Sequence, residues 1–110
     1  MNIIILLYTD IGDADAIREF LGTILKDLME NCDVKCIAPH LLRKKVITNG
    51  QYQAMMKTEV ETAGALLYGY LHGDPSNRKL QLLSDVLLES EHDRNKVLGR
   101  AILGYLSSHQ

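Results

Sequence analysis

The chain reads as an all-α protein, a bundle of six helices, on three observations. Apolar residues recur at spacings of three and four through most of its 110 residues. Helix starts and stops interrupt that pattern at short intervals. Past the first few residues, no stretch alternates apolar with polar as a half-buried strand would. Hydrophobic content of 46% beside 24% charged residues is that of an ordinary globular domain, and a chain of this length builds one core.

The elements follow in order. Ile17, Phe20, Leu21, Ile24, Leu25 and Leu28 form an apolar stripe with Glu19, Thr23, Lys26, Asp27 and Glu30 outward, which predicts a first helix over residues 13–30. Asp13 and Asp15 suit its positive end. Residues 31–33 break the pattern, and Val34, Ile37, Leu41 and Leu42 resume it for a second helix over 34–44, bent at Pro39 because proline removes a backbone hydrogen bond. Thr48 with Gln51 three residues later predicts a capped third helix over 49–57, with Tyr52, Met55 and Met56 inward. Thr58 with Glu61 reads as a second capping box, opening a fourth helix to about residue 72 that buries Val60, Ala63, Leu66, Leu67, Tyr70 and Leu71. Within it Gly64 and Gly69 each weaken the helix by about 1 kcal/mol relative to alanine, and they permit a close helix crossing.

Gly73-Asp74-Pro75 is a stop followed by a start, with Asp as cap and Pro at the first helical position. The fifth helix then covers 75–90, burying Leu80, Leu83, Val86 and Leu87. A sixth covers 94–106 on a stripe of Val97, Leu98, Ala101, Ile102 and Tyr105, and residues 107–110 form a tail. The apolar run of residues 3–7, extended by Tyr8, is too short for a membrane span and lacks the cleavage site of a secretory signal. Residues 1–12 are therefore an N-terminal extension, either an extra helical turn or a strand-like arm packed on the domain.

The segment Leu41-Leu42-Arg43-Lys44-Lys45-Val46-Ile47-Thr48-Asn49-Gly50-Gln51-Tyr52 carries the most information. Val46 and Ile47 can sink into a core while Thr48 turns the backbone and caps the next helix. A Leu-Leu pair, a basic turn, a Val-Ile-Thr corner and an aromatic residue soon after it resemble helices 2 and 3 of a caspase recruitment domain (CARD). Leu66-Leu67, the Gly73 linker and the run from Leu80 to Glu89 are similar to helices 4 and 5 of that family. The resemblance covers residues 13–106 and implies a six-helix antiparallel Greek-key bundle, the death fold. Death, death-effector and pyrin domains share the bundle; the corner between helices 2 and 3 favours the CARD. The resemblance further implies a homotypic interaction module without catalytic activity. It would act in the cytoplasm, in apoptotic or inflammatory signalling, docking on CARD-containing caspases, receptors or adaptors, and on itself to form an oligomer or filament. A CARD-only regulator that caps a partner's assembly is the alternative.

A net charge of −2 hides a segregation along the chain. Residues 10–30 carry six acids and two bases, residues 58–72 carry Glu59 and Glu61 with no Lys or Arg, and residues 33–57 carry five bases against Asp33. In the death-fold family, helices 1 and 4 of one subunit dock on helices 2 and 3 of the next, through opposite charge. The resemblance thus assigns a basic face of Lys35, Arg43, Lys44 and Lys45 and an acidic face of Glu19, Asp27, Glu30, Glu59 and Glu61. Many members carry the opposite signs, so this chain would pair with itself or with a similarly reversed partner. The plainer reading makes Arg43-Lys44-Lys45 a solvated turn.

Acidic balance argues against non-specific nucleic-acid binding, which needs clustered Lys and Arg in excess. Cys32 and Cys36 are too few for a disulfide framework and fit a reducing compartment. With His40 they stand at i, i+4 and i+8, a spacing that would align three zinc ligands on a straight helix. A fourth ligand is not evident, Pro39 disturbs the alignment, and free cysteines are commonly just buried. The expectation is no metal and no cofactor. A small zinc-binding helical protein is the remaining alternative, and no third group orients a Cys-His pair for catalysis.

Overall fold

A computed structural model describes the backbone of residues 2–108 and the side chains of residues 14–108. Among these are six α-helices and no strand: α1 (Asn2–Lys26), α2 (Val34–Arg43), α3 (Asn49–Met56), α4 (Val60–Gly73), α5 (Asn77–Glu89) and α6 (Asp93–Ser108), with a π-helical turn, Asp27–Asn31, continuing α1. Residues 2–12 are helical in backbone and continuous with α1; their side chains, and any packing of that segment on the domain, lie outside the described residues, as do His109 and Gln110. The bundle is antiparallel and not up-and-down, since α1 and its π turn lie against α4 and α6, while α2 lies against α3, α4 and α5. This is consistent with a six-helix death-fold bundle.

Two ties fix the direction of α4 against α1. Arg18 Nε donates to the His72 carbonyl at 3.1 Å, and Gly64 faces the backbone of Leu28 and Met29. A methyl group at Gly64 would stand 2.1 Å from the Leu28 carbonyl oxygen, so glycine alone admits the crossing. The π turn sits at this seat: i→i+5 bonding widens the helix where the α4 backbone presses against it. Across α6, the Phe20 and Tyr105 rings stack with centroids 4.2 Å apart.

The core is apolar and continuous. Ile17, Leu21, Ile24 and Leu28 meet Ile37, Leu41, Val46, Ile47, Met55, Leu67, Leu71, Leu80, Leu83, Leu87, Leu98 and Ile102, all buried. Each such side chain contributes about 1.5–3 kcal/mol of burial. Asn95 is the polar knot among them. Its Oδ1 accepts from the Asp33 backbone N–H at 3.1 Å, and its Nδ2 donates to Ser90 Oγ at 3.1 Å, so one amide pins the start of α2 to the α5–α6 turn.

Four expectations need correction. Met56 and Val60 are 38% and 39% exposed, because α3 and α4 each bury a narrower face than their apolar residues suggest. On α6 the buried stripe is Asn95, Leu98, Gly99, Ile102 and Leu106, leaving Val97 61% exposed and Ala101 outward. The cause is Gly99, against which Leu87 and Leu88 of α5 pack, turning the helix toward that small residue. Thr58 does not cap α4: its hydroxyl donates to the Met55 carbonyl at 3.0 Å and closes α3, while Glu59 stands at the cap without a side-chain bond. The fifth helix starts after Ser76, whose Oγ accepts from the Lys79 N–H, and not at Pro75. Asp74, freed from capping, pairs with the Lys79 ammonium at 2.5 Å, which holds its carboxyl below the usual range.

Candidate interaction surface

The α2–α3 corner is built by local chemistry. The Val46 N–H donates to the Leu41 carbonyl at 2.9 Å and the Lys45 N–H to the Leu42 carbonyl at 3.0 Å, the paired bonds of a Schellman ending. That ending needs a left-handed residue, and Lys45 supplies it at φ 62°, a conformation that favours glycine. Val46 and Ile47 are then drawn into the core at 4% and 3% exposure. Thr48 forms a complete capping box: the Gln51 N–H donates to its Oγ1 at 3.1 Å, and its own N–H donates to Gln51 Oε1 at 2.8 Å. With the apolar residues buried and the backbone capped, Arg43, Lys44 and Lys45 are left exposed as a cationic corner.

Lys35 does not join them. It sits at the start of α2, half-buried, with its ammonium donating to the Thr58 carbonyl at 2.8 Å. Eight residues of helix, about 12 Å, separate it from Arg43. Its charge is spent on holding the α3–α4 turn, beside Glu59. Arg43 Nη2 contacts His40 Nδ1, one turn back on α2, so the histidine weighed as a zinc ligand partners the cationic corner instead.

The acidic residues also divide. Because α4 runs antiparallel to α1 with Gly64 opposite Leu28, Glu30 at the end of the π turn lies toward the start of α4, where Glu59 and Glu61 are. All three are exposed. Asp27 is half-buried, and its Oδ1 accepts from Asn31 Nδ2 at 2.7 Å. Glu19 is exposed but stands eleven residues before Glu30, about 16 Å along α1, beside the Phe20 and Tyr105 stack. The structure therefore places Arg43, Lys44 and Lys45 at one end of α3 and Glu59 and Glu61 just past the other, where the exposed Lys57 and the Lys35 ammonium also lie.

Comparison of the chain with family models, with characterised proteins and with solved structures finds no match. The surface is accordingly read from its own geometry.

Cys32, Cys36 and His40 are not brought together as ligands. Cys32 precedes α2, so the i, i+4, i+8 alignment fails at its first member; it is 7% exposed, and its Sγ lies 4.0 Å from the Arg94 carbonyl oxygen. Burial, and secondarily the Asp27 carboxylate, push its thiol up to about 11. Cys36 is exposed and lines a groove of about 470 Å³ with His40, Val86, Glu89, Glu91 and His92. Among the described residues, no three His, Cys, Asp or Glu side chains are placed to hold an ion. Nor is any described helix long and apolar enough to cross a membrane.

Proposed function

We propose that this chain is a CARD-like docking module that assembles head to tail with similar domains, itself included, in cytoplasmic apoptotic or inflammatory signalling. One observation carries the reading: three exposed cations, Arg43, Lys44 and Lys45, stand together at one end of α3, while the exposed carboxylates of Glu59 and Glu61, beside Lys57, follow its other end. A contact between unlike patches is heterologous, and it propagates into a helical filament unless the rotation closes a ring. Opposed charge speeds encounter and selects partners, with desolvated pairs adding affinity. The six-helix bundle and the Val46-Ile47-Thr48 corner support the family resemblance. The reversed signs direct the module to itself or to a partner reversed in the same way.

The test is charge exchange. Arg43→Glu or Lys44→Glu should abolish assembly in sedimentation velocity, with helical content and melting close to the parent, and Glu61→Lys should partly restore it. Parent assemblies should dissolve as ionic strength rises toward 1 M, where the Debye length is about 3 Å. A parent that forms only finite complexes with a partner would favour the capping regulator; a parent that stays alone, with or without salt, would refute docking.

A further inference from the structure

We infer that the groove between the π turn and α6 binds a short apolar zwitterion, a free dipeptide, whose carboxylate pairs with Arg94 and whose ammonium pairs with Asp27. The site uses none of the residues at the ends of α3 and stands apart from the head-to-tail reading.

The groove has a volume of about 330 Å³, at the lower end of the roughly 300–1,000 Å³ of small-ligand sites. Cys32 and Leu98, both buried, supply its apolar floor, and Val97 and Ala101, both exposed, an apolar wall. Val97 is the most exposed large apolar side chain among the described residues. Asp27 and Arg94 are the charged side chains that line the groove. Among the described residues no ion pair joins them, and neither pairs with any other charge. An apolar cavity thus carries one free anion and one free cation.

The two charges stand at different levels. The end of the π turn is tied to the start of α6, since Cys32 Sγ lies 4.0 Å from the Arg94 carbonyl oxygen and the Asp33 N–H donates to Asn95 Oδ1. From that seam α1 and its π turn run back along α6, as the Phe20 and Tyr105 stack shows. Asp27 therefore lies about one turn from the Arg94 end, toward Leu98 and Ala101, or about 5.4 Å on. Asn31 Nδ2, donating to Asp27 Oδ1 at 2.7 Å, holds the carboxylate in place. Its charge reaches the floor, where it adds to burial in raising the Cys32 thiol. A dipeptide spans at most about 7 Å and one amino acid about half of that, so the dipeptide reaches both charges and the free amino acid does not. A neutral apolar ligand would desolvate both charges without pairing either, and a simple carboxylate would meet Asp27 with like charge.

The experiment titrates the whole chain with Leu-Leu, with N-acetyl-Leu-Leu and with Leu-Leu amide, following backbone amide shifts by NMR. Leu-Leu should give saturable shifts at Asn31, Cys32, Val97, Leu98 and Ala101, and each blocked peptide should bind about tenfold more weakly, the loss of one charge-assisted hydrogen bond. Asp27→Asn, which keeps the acceptor for Asn31, should erase the penalty of acetylation and leave that of the amide. Arg94→Gln should do the converse. The blocked peptides test each charge on the parent chain, so a variant that melts early leaves the comparison intact. Ala101→Trp, at an exposed position on the wall, should fill the groove and remove the shifts. Equal affinity for the three peptides would overturn the inference, as would shifts confined to other surfaces or Leu-Leu binding unchanged in Ala101→Trp. Shifts at the same amides that depend on protein concentration, with no response to peptide, would give the groove to a second copy and overturn it as well.

Discussion

Lys45 shows how much a single residue decides. It holds the left-handed position that ends α2, and through that ending Val46 and Ile47 are buried while three cations are exposed. This corner was legible in the sequence because every bond that makes it is local: a Thr-x-x-Gln box and an apolar pair after a basic turn need no distant partner. Cys32 is the opposite case. Its spacing to Cys36 and His40 suggested a shared helix face, yet α2 begins two residues later, where Asp33 accepts from the Cys36 N–H at 3.1 Å. Its thiol has a consequence for pH. An unfolded thiol ionises near 9.0, whereas the buried one holds its proton to about 11. The unfolded state thus sheds a proton first, and stability from this group is whole below pH 9.0 and lost as pH rises to about 11. Urea denaturation across that interval should show a decline that Cys32→Ala makes shallower; equal declines would mean that burial of this thiol sets no part of the slope.

At the scale of elements, periodicity found all six helices but not the phase of each buried stripe. Met55 and Met56 are adjacent, and residues 100° apart on a short helix cannot both face one neighbour; the choice falls to Met55 because α2 and α4 both crowd that side. Asp74 reads as the cap in sequence, yet Ser76, two residues later, takes that place, and the Asp74 carboxylate pairs with Lys79 instead. The π turn left no trace in composition, since its seat is Gly64 on another helix. Two glycines of α4 separate these effects. Gly69 has open space where a side chain would go, so Gly69→Ala should stabilise by about 1 kcal/mol through helix propensity alone. Gly64→Ala gains the same propensity but drives a methyl group into the Leu28 carbonyl, so it should cost about 3 kcal/mol, the upper range of overpacking. Denaturation midpoints of the two variants should move in opposite directions; a Gly64→Ala variant as stable as the parent would show that the crossing is not that close.

For the whole molecule, charge segregation along the chain was legible, but its arrangement in space was not. Counting by segment put Lys35 with the cations and Glu19 with the anions. Folding withdraws Lys35 into the α3–α4 turn and leaves Glu19 far along α1, because chain proximity says little about which end of a helix a residue reaches. What emerges is a short axis, α3, with three exposed cations at one end and Glu59 and Glu61 beside Lys57 at the other. Copies joined along that axis would build a strand with a leading tip unlike its trailing tip. An Arg43→Glu chain keeps its acidic corner and should bind the exposed cationic tip without offering a cationic corner of its own. Added in small proportion to the parent, it should shorten assemblies in light scattering, and unchanged lengths would argue that growth does not run through these corners. Because the two tips differ chemically, starting and stopping such a strand are separate events, open to control by different molecules.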